Sequence, residues 1–310
     1  MYPLGLLLCS GNIRTHRFAP VDTAPTRSKA VWNIEEVVLT INDLNTYSVP
    51  TKPDIRPRTR AIAEAAKDAD IVTFQEVVTP YSRHHLQKLL DYPYMYMPRT
   101  HARLVPSGLA TFSRYPIVDR QSHSFGSITA RWEVLMDKSI DLTRVEHPQL
   151  GILDIYDLHL HAGYKTWESY SDIRQDQMRA VIDFVRAHSM DESGRLLPGH
   201  TIILNGDFNM LPDSPEYKML MEAGLGVTDV YRQLHPDAPL YTYERENPYV
   251  CPSQCPASSA RIDYIFIRPA EGLSINWKRS RGRIDTLVNG QALSDHDFLQ
   301  LQLVLEKTST

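Results

Sequence analysis

Apolar residues recur along the chain with two different periods. Residues 37–41 (VVLTI) form a short β-branched run that predicts a buried strand, and 70–74 (DIVTF), 108–113 (GLATFS), 201–204 (TIIL), 262–267 and 298–305 predict others. Residues 151–159 (GILDIYDLH) alternate apolar and polar positions, as a half-buried strand does. Between these segments the period lengthens to that of a helix. Ala61, Ile62, Ala65 and Ala66 share a face within 58–67, Leu86, Leu89 and Leu90 within 81–90, and Met178, Val181, Ile182 and Val185 within 171–188. Ser214 followed by Pro215 predicts a capped helix start. Residues 10–35 mix polarity with several prolines, so 1–35 are expected to form an irregular arm and 36–307 a single domain.

Strands and helices interleave, yet no glycine-rich phosphate loop follows a strand, which argues against a Rossmann or P-loop protein. Polar groups close the strands instead: Glu76, His159, Asp207, Asn209, Asp263, Asp295 and His296 all lie at or beside such ends. Catalytic groups collect at one edge of a rigid sheet in this way. Each residue also has a plain structural explanation. Glu76 reads as a solvated loop carboxylate or as a hard oxygen ligand for Mg²⁺. Asp207 and Asn209 in GDFN read as a turn, or as an acceptor and an amide aimed at one phosphate. Asp263, a carboxylate in an apolar strand, either orients a histidine or pairs with Arg261. His296 beside Asp295 is the sharpest pair, because a histidine is the usual general base for water. Of His159 and His161, both face one side only if the strand persists.

Composition narrows the field. The 310 residues are 42% hydrophobic and 23% charged, enough for a sizeable core, with a net charge of −4. The basic residues are scattered, Lys278, Arg279, Arg281 and Arg283 being the nearest to a cluster, so a nucleic-acid partner is disfavoured. No apolar run approaches the roughly 20 residues of a membrane span. Residues 3–10 resemble the end of a secretion signal without its basic start. Cys251 and Cys255 in CPSQC read as loop thiols or a small disulfide; with Cys9 remote, no zinc site is expected.

The ordered set Asn45, Glu76, His159, Asp207-x-Asn209, Arg261-Ile262-Asp263-Tyr264 and Ser294-Asp295-His296 resembles the endonuclease/exonuclease/phosphatase superfamily, over about residues 37–305. Leu44-Asn45-Thr46-Tyr47-Ser48-Val49-Pro50, Gly108-Leu109-Ala110 with Ser113-Arg114-Tyr115-Pro116-Ile117, and His159-Leu160-His161-Ala162-Gly163-Tyr164 are similar to segments of the neutral sphingomyelinases. The resemblance implies an α/β fold, a four-layer α-β-β-α sandwich with two mixed sheets. It implies a phosphodiesterase of the sphingomyelinase C type, giving ceramide and phosphocholine. Glu76 and Asn45 (preferred over Asn42) would hold Mg²⁺, with Mn²⁺ or Co²⁺ as substitutes. His296 would be the base, positioned by Asp295 or Asp263. Asp207 and Asn209 would orient water and phosphate, and His159 would contact the phosphate or leaving oxygen.

A lipid substrate further implies a monomer working at a membrane surface, secreted or peripheral rather than cytoplasmic. Tyr81, Trp132, Trp167 and Tyr249 are candidate choline contacts, and residues 125–135 and 164–167 candidate lipid contacts. The main rival is a nuclease or deadenylase of the same superfamily. A phosphomonoesterase acting on inositol phosphates and a non-catalytic binding module are the others.

Overall fold

Side-chain alternation along the strands organises the molecule, of which a computed structural model describes residues 36–98, 103–250 and 258–308. The strands are β1 (Glu36–Ser48), β2 (Ile71–Val77), β3 (Tyr94–Tyr96), β4 (Ala110–Ser113), β5 (Ile117–Ser124), β6 (Ser139–His147), β7 (Gly151–His159), β8 (His200–Asp207), β9 (Thr228–Asp229), β10 (Asp263–Arg268), β11 (Leu273–Ile275), β12 (Arg281–Asp285) and β13 (Phe298–Lys307). The helices are α1 (Ile55–Ala66), α2 (Pro80–Leu90), α3 (Ser171–Ser189), α4 (Pro215–Glu222) and α5 (Val230–Leu234), with a 3₁₀ turn at Arg131–Leu135. The arm of residues 1–35, Cys9, Cys251 and Cys255 lie outside the described residues.

One sheet runs β11-β13-β1-β2-β4-β3, with β12 also on β13, and the other runs β5-β6-β7-β8-β10-β9. Both are mixed, since β1/β2 and β7/β8 are parallel pairs among antiparallel ones. Odd-numbered apolar residues of β1 (Leu39, Ile41) meet Ile155, Ile203 and Ile265 of the opposite sheet in one buried layer. Even-numbered neighbours turn outward: Val72 and Phe74 pack on Ile62 and Leu86 of α1 and α2. Ile202, Leu204 and Phe266 do the same against Met178, Val185 and Leu220 of α3 and α4. The result is the α-β-β-α sandwich expected of the sequence.

The helix starts follow their caps. Ser214 Oγ accepts from Tyr217 N at 3.3 Å with Pro215 in the first turn, and Thr79 Oγ1 accepts from Ser82 N ahead of α2. Helix α1 begins three residues before the expected Arg58. That arginine is fully buried and donates to the carbonyls of Thr46, Tyr47, Pro53 and Leu293, tying α1 to the loops beside the site.

Toward one end the inner layer changes from apolar to polar in step with the register. Asp43, Thr73, Asp157 and Asn205 form a first polar tier, into which the Gln75 side chain reaches back to bond Asp43 and Asp157. One residue pair further along, Asn45, His159, Asp207 and Asp263 form a second. Period-two alternation thus brings residues from four strands to one rim between the sheets.

Candidate active site

The rim is shaped by backbone that ordinary strands lack. β1 and β2 slip register between Asn45/Gln75 and Ser48/Val77, a bulge that leaves Tyr47 and Glu76 at φ 51° and 57°. Such backbone costs on the order of 1–3 kcal/mol per non-glycine residue and clusters where side chains must be aimed. Two glycines are required here. A Cβ on Gly206 (φ 127°) would stand 2.2 Å from Leu158 O on the neighbouring parallel strand, and one on Gly108 (φ 78°) 3.0 Å from Glu76 Cα. Gly206 therefore lets β8 lie close enough to β7 to set Asp207 beside His159.

A cavity of about 830 Å³ opens on this rim, lined by Glu76, His159, Asp207, Asn209, Asp295 and His296 among others. Of the eight site residues expected from the sequence, six line this cavity, and the other two, Asn45 and Asp263, are hydrogen-bonded to Asp207 and His296 of its wall. His296 Nδ1 donates to Asp263 Oδ2 at 2.9 Å, and its Nε2 faces Asp207 Oδ2 at 3.8 Å. Asp207 also accepts from Asn45 Nδ2 at 3.0 Å and from Asn209 N at 3.0 Å, and lies 3.2 Å from His159 Nε2. Asn209 Nδ2 donates to Leu160 O.

The structure decides the alternatives the sequence left open. Asp263, not Asp295, holds His296. Arg261 does not pair with Asp263 but forms a two-pronged bridge to Asp229 at 2.9 and 2.6 Å. Asn42 is spent on Ala66 O, so Asn45 is the asparagine at the rim. The strand ends at His159, and His161 is a fully buried residue bonded to Ala162 O, away from the cavity. Of the choline candidates, Tyr81 stacks on His85 and Tyr249 faces Arg58, and neither lines the cavity; Trp167 and Trp132 do. The basic run is spent locally: Arg279 pairs with Glu36, Arg283 with Asp285, and Arg281 donates to the Lys278 and Ser280 carbonyls.

Two residues were missed. Lys138, 4% exposed, donates to Leu160 O at 2.6 Å and sits 3.0 Å from both His159 Nε2 and Glu133 Oε2. Glu133, 1% exposed, also accepts from Tyr164 Oη at 2.5 Å. The signal available was two opposite charges, in RWEVL and MDKS, flanking one apolar segment.

The buried charges set one another. Burial alone would depress His296, but the Asp263 and Asp207 carboxylates outweigh it and hold the imidazole well above its ordinary value. Asp207 is opposed by burial yet held below the usual carboxylate range by His159 and His296. Asp295 is pushed up to about 7 by burial, opposed by His296 and reinforced by repulsion from Glu76.

That repulsion bears on the metal. Glu76 is half-buried in the cavity wall, and among the described residues no hydrogen bond or ion pair engages its carboxylate. With Asp295 beside it and Asn45 Oδ1, which among the described residues accepts only from Tyr47 N, the donors are hard oxygens that fit a divalent cation such as Mg²⁺. Asp207, Asp263 and His296 also bring ligand atoms within 4.8 Å of one another. Asp263 is already bonded to His296, and Asp207 to Asn45 and Asn209, so the oxygen set fits a hard cation better.

Residues 30–296 match the Endonuclease/Exonuclease/phosphatase family, and the chain belongs to that family. It is similar to the inositol phosphosphingolipids phospholipase C of Schizosaccharomyces pombe, 29% identical over 188 residues that make up 58% of this chain and 42% of that protein. It is also similar to sphingomyelin phosphodiesterase 2 of Homo sapiens, 24% identical over 288 residues, 86% of this chain and 64% of that protein. The chain thus spans less than two thirds of either relative. The fold matches that of D. rerio TDP2 complexed with a single-strand DNA product, with TM-score 0.65, 19% identity, and coverage of 86% of this chain and 98% of that one.

Proposed function

We propose that this chain is a divalent-cation-dependent phosphodiesterase that cleaves sphingophospholipids to ceramide and a phosphorylated headgroup, phosphocholine when the substrate is sphingomyelin. The observation that carries the reading is the Asp263–His296–Asp207 chain opening on the same cavity as the unpartnered Glu76 carboxylate. The two similar proteins named for sphingolipid substrates support the choice of lipid.

In the reaction His296 Nε2 accepts a proton from water, while Asp263 fixes the tautomer by accepting from Nδ1. The water oxygen bonds to phosphorus, the bond from phosphorus to the ceramide oxygen breaks, and that oxygen takes up a proton from the His159–Lys138 pair. Asn209 and Asn45 keep Asp207 oriented toward both histidines. A Mg²⁺ held by Glu76, Asn45 and Asp295 would supply charge neutralisation at the phosphate, and Mn²⁺ or Co²⁺ would substitute. The reading places the chain at a membrane surface, as a secreted or peripheral monomer.

A side-by-side assay tests it. With Mg²⁺, purified protein is expected to hydrolyse sphingolipid faster than single-stranded DNA, RNA or inositol phosphates, to lose that activity to a chelator, and to regain it on adding Mg²⁺. Faster release of nucleotides would overturn the substrate.

A further inference from the structure

A quaternary ammonium headgroup is recognised by open aromatic faces, through cation–π attraction. The cavity has aromatic walls, but the protein's own cations already cover two of them, Tyr47 and Tyr164. Lys52 Nζ sits 4.3 Å from the centre of the Tyr47 ring, and Arg131 sits 4.8 Å from that of Tyr164. Trp167 is buried edge-on against Tyr243, at 5.2 Å and 82°. Trp132, half-exposed at the rim, meets edge-on, at 6.1 Å and 71°, the Tyr164 ring that Arg131 covers. Lys52, Arg131 and the exposed Lys165 all line the cavity. Each carries N–H donors and no acceptor, the complement of hydroxyl and phosphate oxygens rather than of a trimethylammonium group. Arg131 is moreover held in left-handed backbone (φ 56°) at the start of the 3₁₀ turn, which sets its guanidinium over Tyr164.

We infer that the cavity selects a polyhydroxylated headgroup, of the phosphoinositol kind, over choline. The inference rests on the sphingolipid reading above and refines it. Lys52, Arg131 and Lys165 bond the ring hydroxyls, and their charge repels an ammonium.

Inositol phosphoceramide and sphingomyelin with the same ceramide, in the same mixed micelles with Mg²⁺, differ only in the headgroup. The wild-type kcat/KM is expected to favour the inositol lipid by about tenfold or more, well within what sites built from polar contacts can discriminate. Arg131→Ala and Lys165→Ala should each pull that ratio toward one, and Arg131→Lys, which keeps charge and donors, should retain it. Unchanged thermal unfolding shows the variants are folded. Faster cleavage of sphingomyelin by the wild type, or an equal fall on both lipids in Arg131→Ala, overturns the inference while leaving a sphingolipid phosphodiesterase in place. Cleavage of single-stranded DNA with neither lipid turned over removes that reading, and the headgroup inference with it.

Discussion

At the scale of single residues, the decisive interaction is the 2.9 Å bond from His296 to Asp263 inside the sandwich. Two carboxylates hold the imidazole above its ordinary value, so its unprotonated form, the one that accepts a proton, grows as pH rises through that raised value. Activity is therefore expected to climb with pH, with a midpoint above the usual histidine range and loss on the acid side. Asp263→Asn removes one of the two charges and the acceptor that fixes the tautomer. Turnover at neutral pH should fall, and the acid limb of the pH–rate profile should move to lower pH. His296→Ala should lower turnover by about a hundredfold or more at every pH, the scale of a lost general base. An acid limb that stays in place in Asp263→Asn would show that another group sets it. Asp263's partner was not legible in the sequence, because both claimants, Arg261 and His296, are plausible neighbours. The answer depends on Asp229, 32 positions from Arg261, which takes the guanidinium and frees Asp263.

Among the elements, the polar tier beneath the site joins the sheets. Asp43 Oδ1 of β1 accepts from Thr73 and Gln75 of β2 and from Asn205 of β8, and Gln75 Nε2 also reaches Asp157 of β7 at 2.7 Å. The donors are consumed, leaving Asp43 Oδ2, Asp157 Oδ2, Gln75 Oε1 and Asn205 Oδ1 buried without a partner. Burial pushes Asp43 up to about 7, opposed by the bonds from Gln75 and Thr73. A folded-state value above the unfolded one means the folded protein holds an extra proton between roughly pH 4 and 7, so stability falls as pH rises through that window. Asp43→Asn keeps an acceptor oxygen, adds a donor for the spare oxygens and carries no charge. It should raise the melting temperature near pH 8, by an amount on the order of a few kcal/mol in stability, and flatten the decline from pH 5 to 8. A variant melting below the wild type at pH 8 would mean that the charged form is the one the tier stabilises. The same elements show what the sequence discloses. β7 and α3 are legible almost to the residue, because apolar periodicity spans their whole length. β5 and β6 are not legible, since Asp119, Arg120, Asp141 and Arg144 interrupt the alternation, and the latter two find partners only through folding, in Ser122 and Asp154. β3, β9, β11 and β12 are edge or two- to five-residue strands too short to carry a period. Lys138 and Glu133 come from beside and within a 3₁₀ turn, which has no repeating pattern to read.

For the whole molecule, the proposed function asks how a substrate embedded in lipid would reach a cavity between two sheets. No helix among the described residues is long and apolar enough to cross a membrane. The cavity mouth instead exposes large apolar side chains: Leu104 is 83% exposed and Trp132, Val134 and Leu135 between 42% and 52%. They lie on two adjoining segments held by the Val105–Met136 bridge and by Arg103, which donates to the carbonyls of Val134 and Gly126. Exposed apolar side chains gathered at the mouth of a site mark a contact surface, and this one falls within the 125–135 segment expected from the sequence and its neighbour. Fully burying such a side chain contributes about 1.5–3 kcal/mol, and partial insertion of two contributes enough to change vesicle binding by about tenfold or more. Leu104→Ser combined with Val134→Ser should therefore weaken binding to sphingolipid vesicles, measured by co-sedimentation, by at least about tenfold. Turnover on bilayer substrate should fall in proportion, because neither residue lines the cavity and the loss lies in reaching the lipid. On a short-chain substrate dissolved below its micellar concentration the same variant should lose far less, and that contrast separates docking from chemistry. Equal losses on dissolved and bilayer substrate would place these side chains in the architecture of the mouth and leave the membrane contact to some other surface.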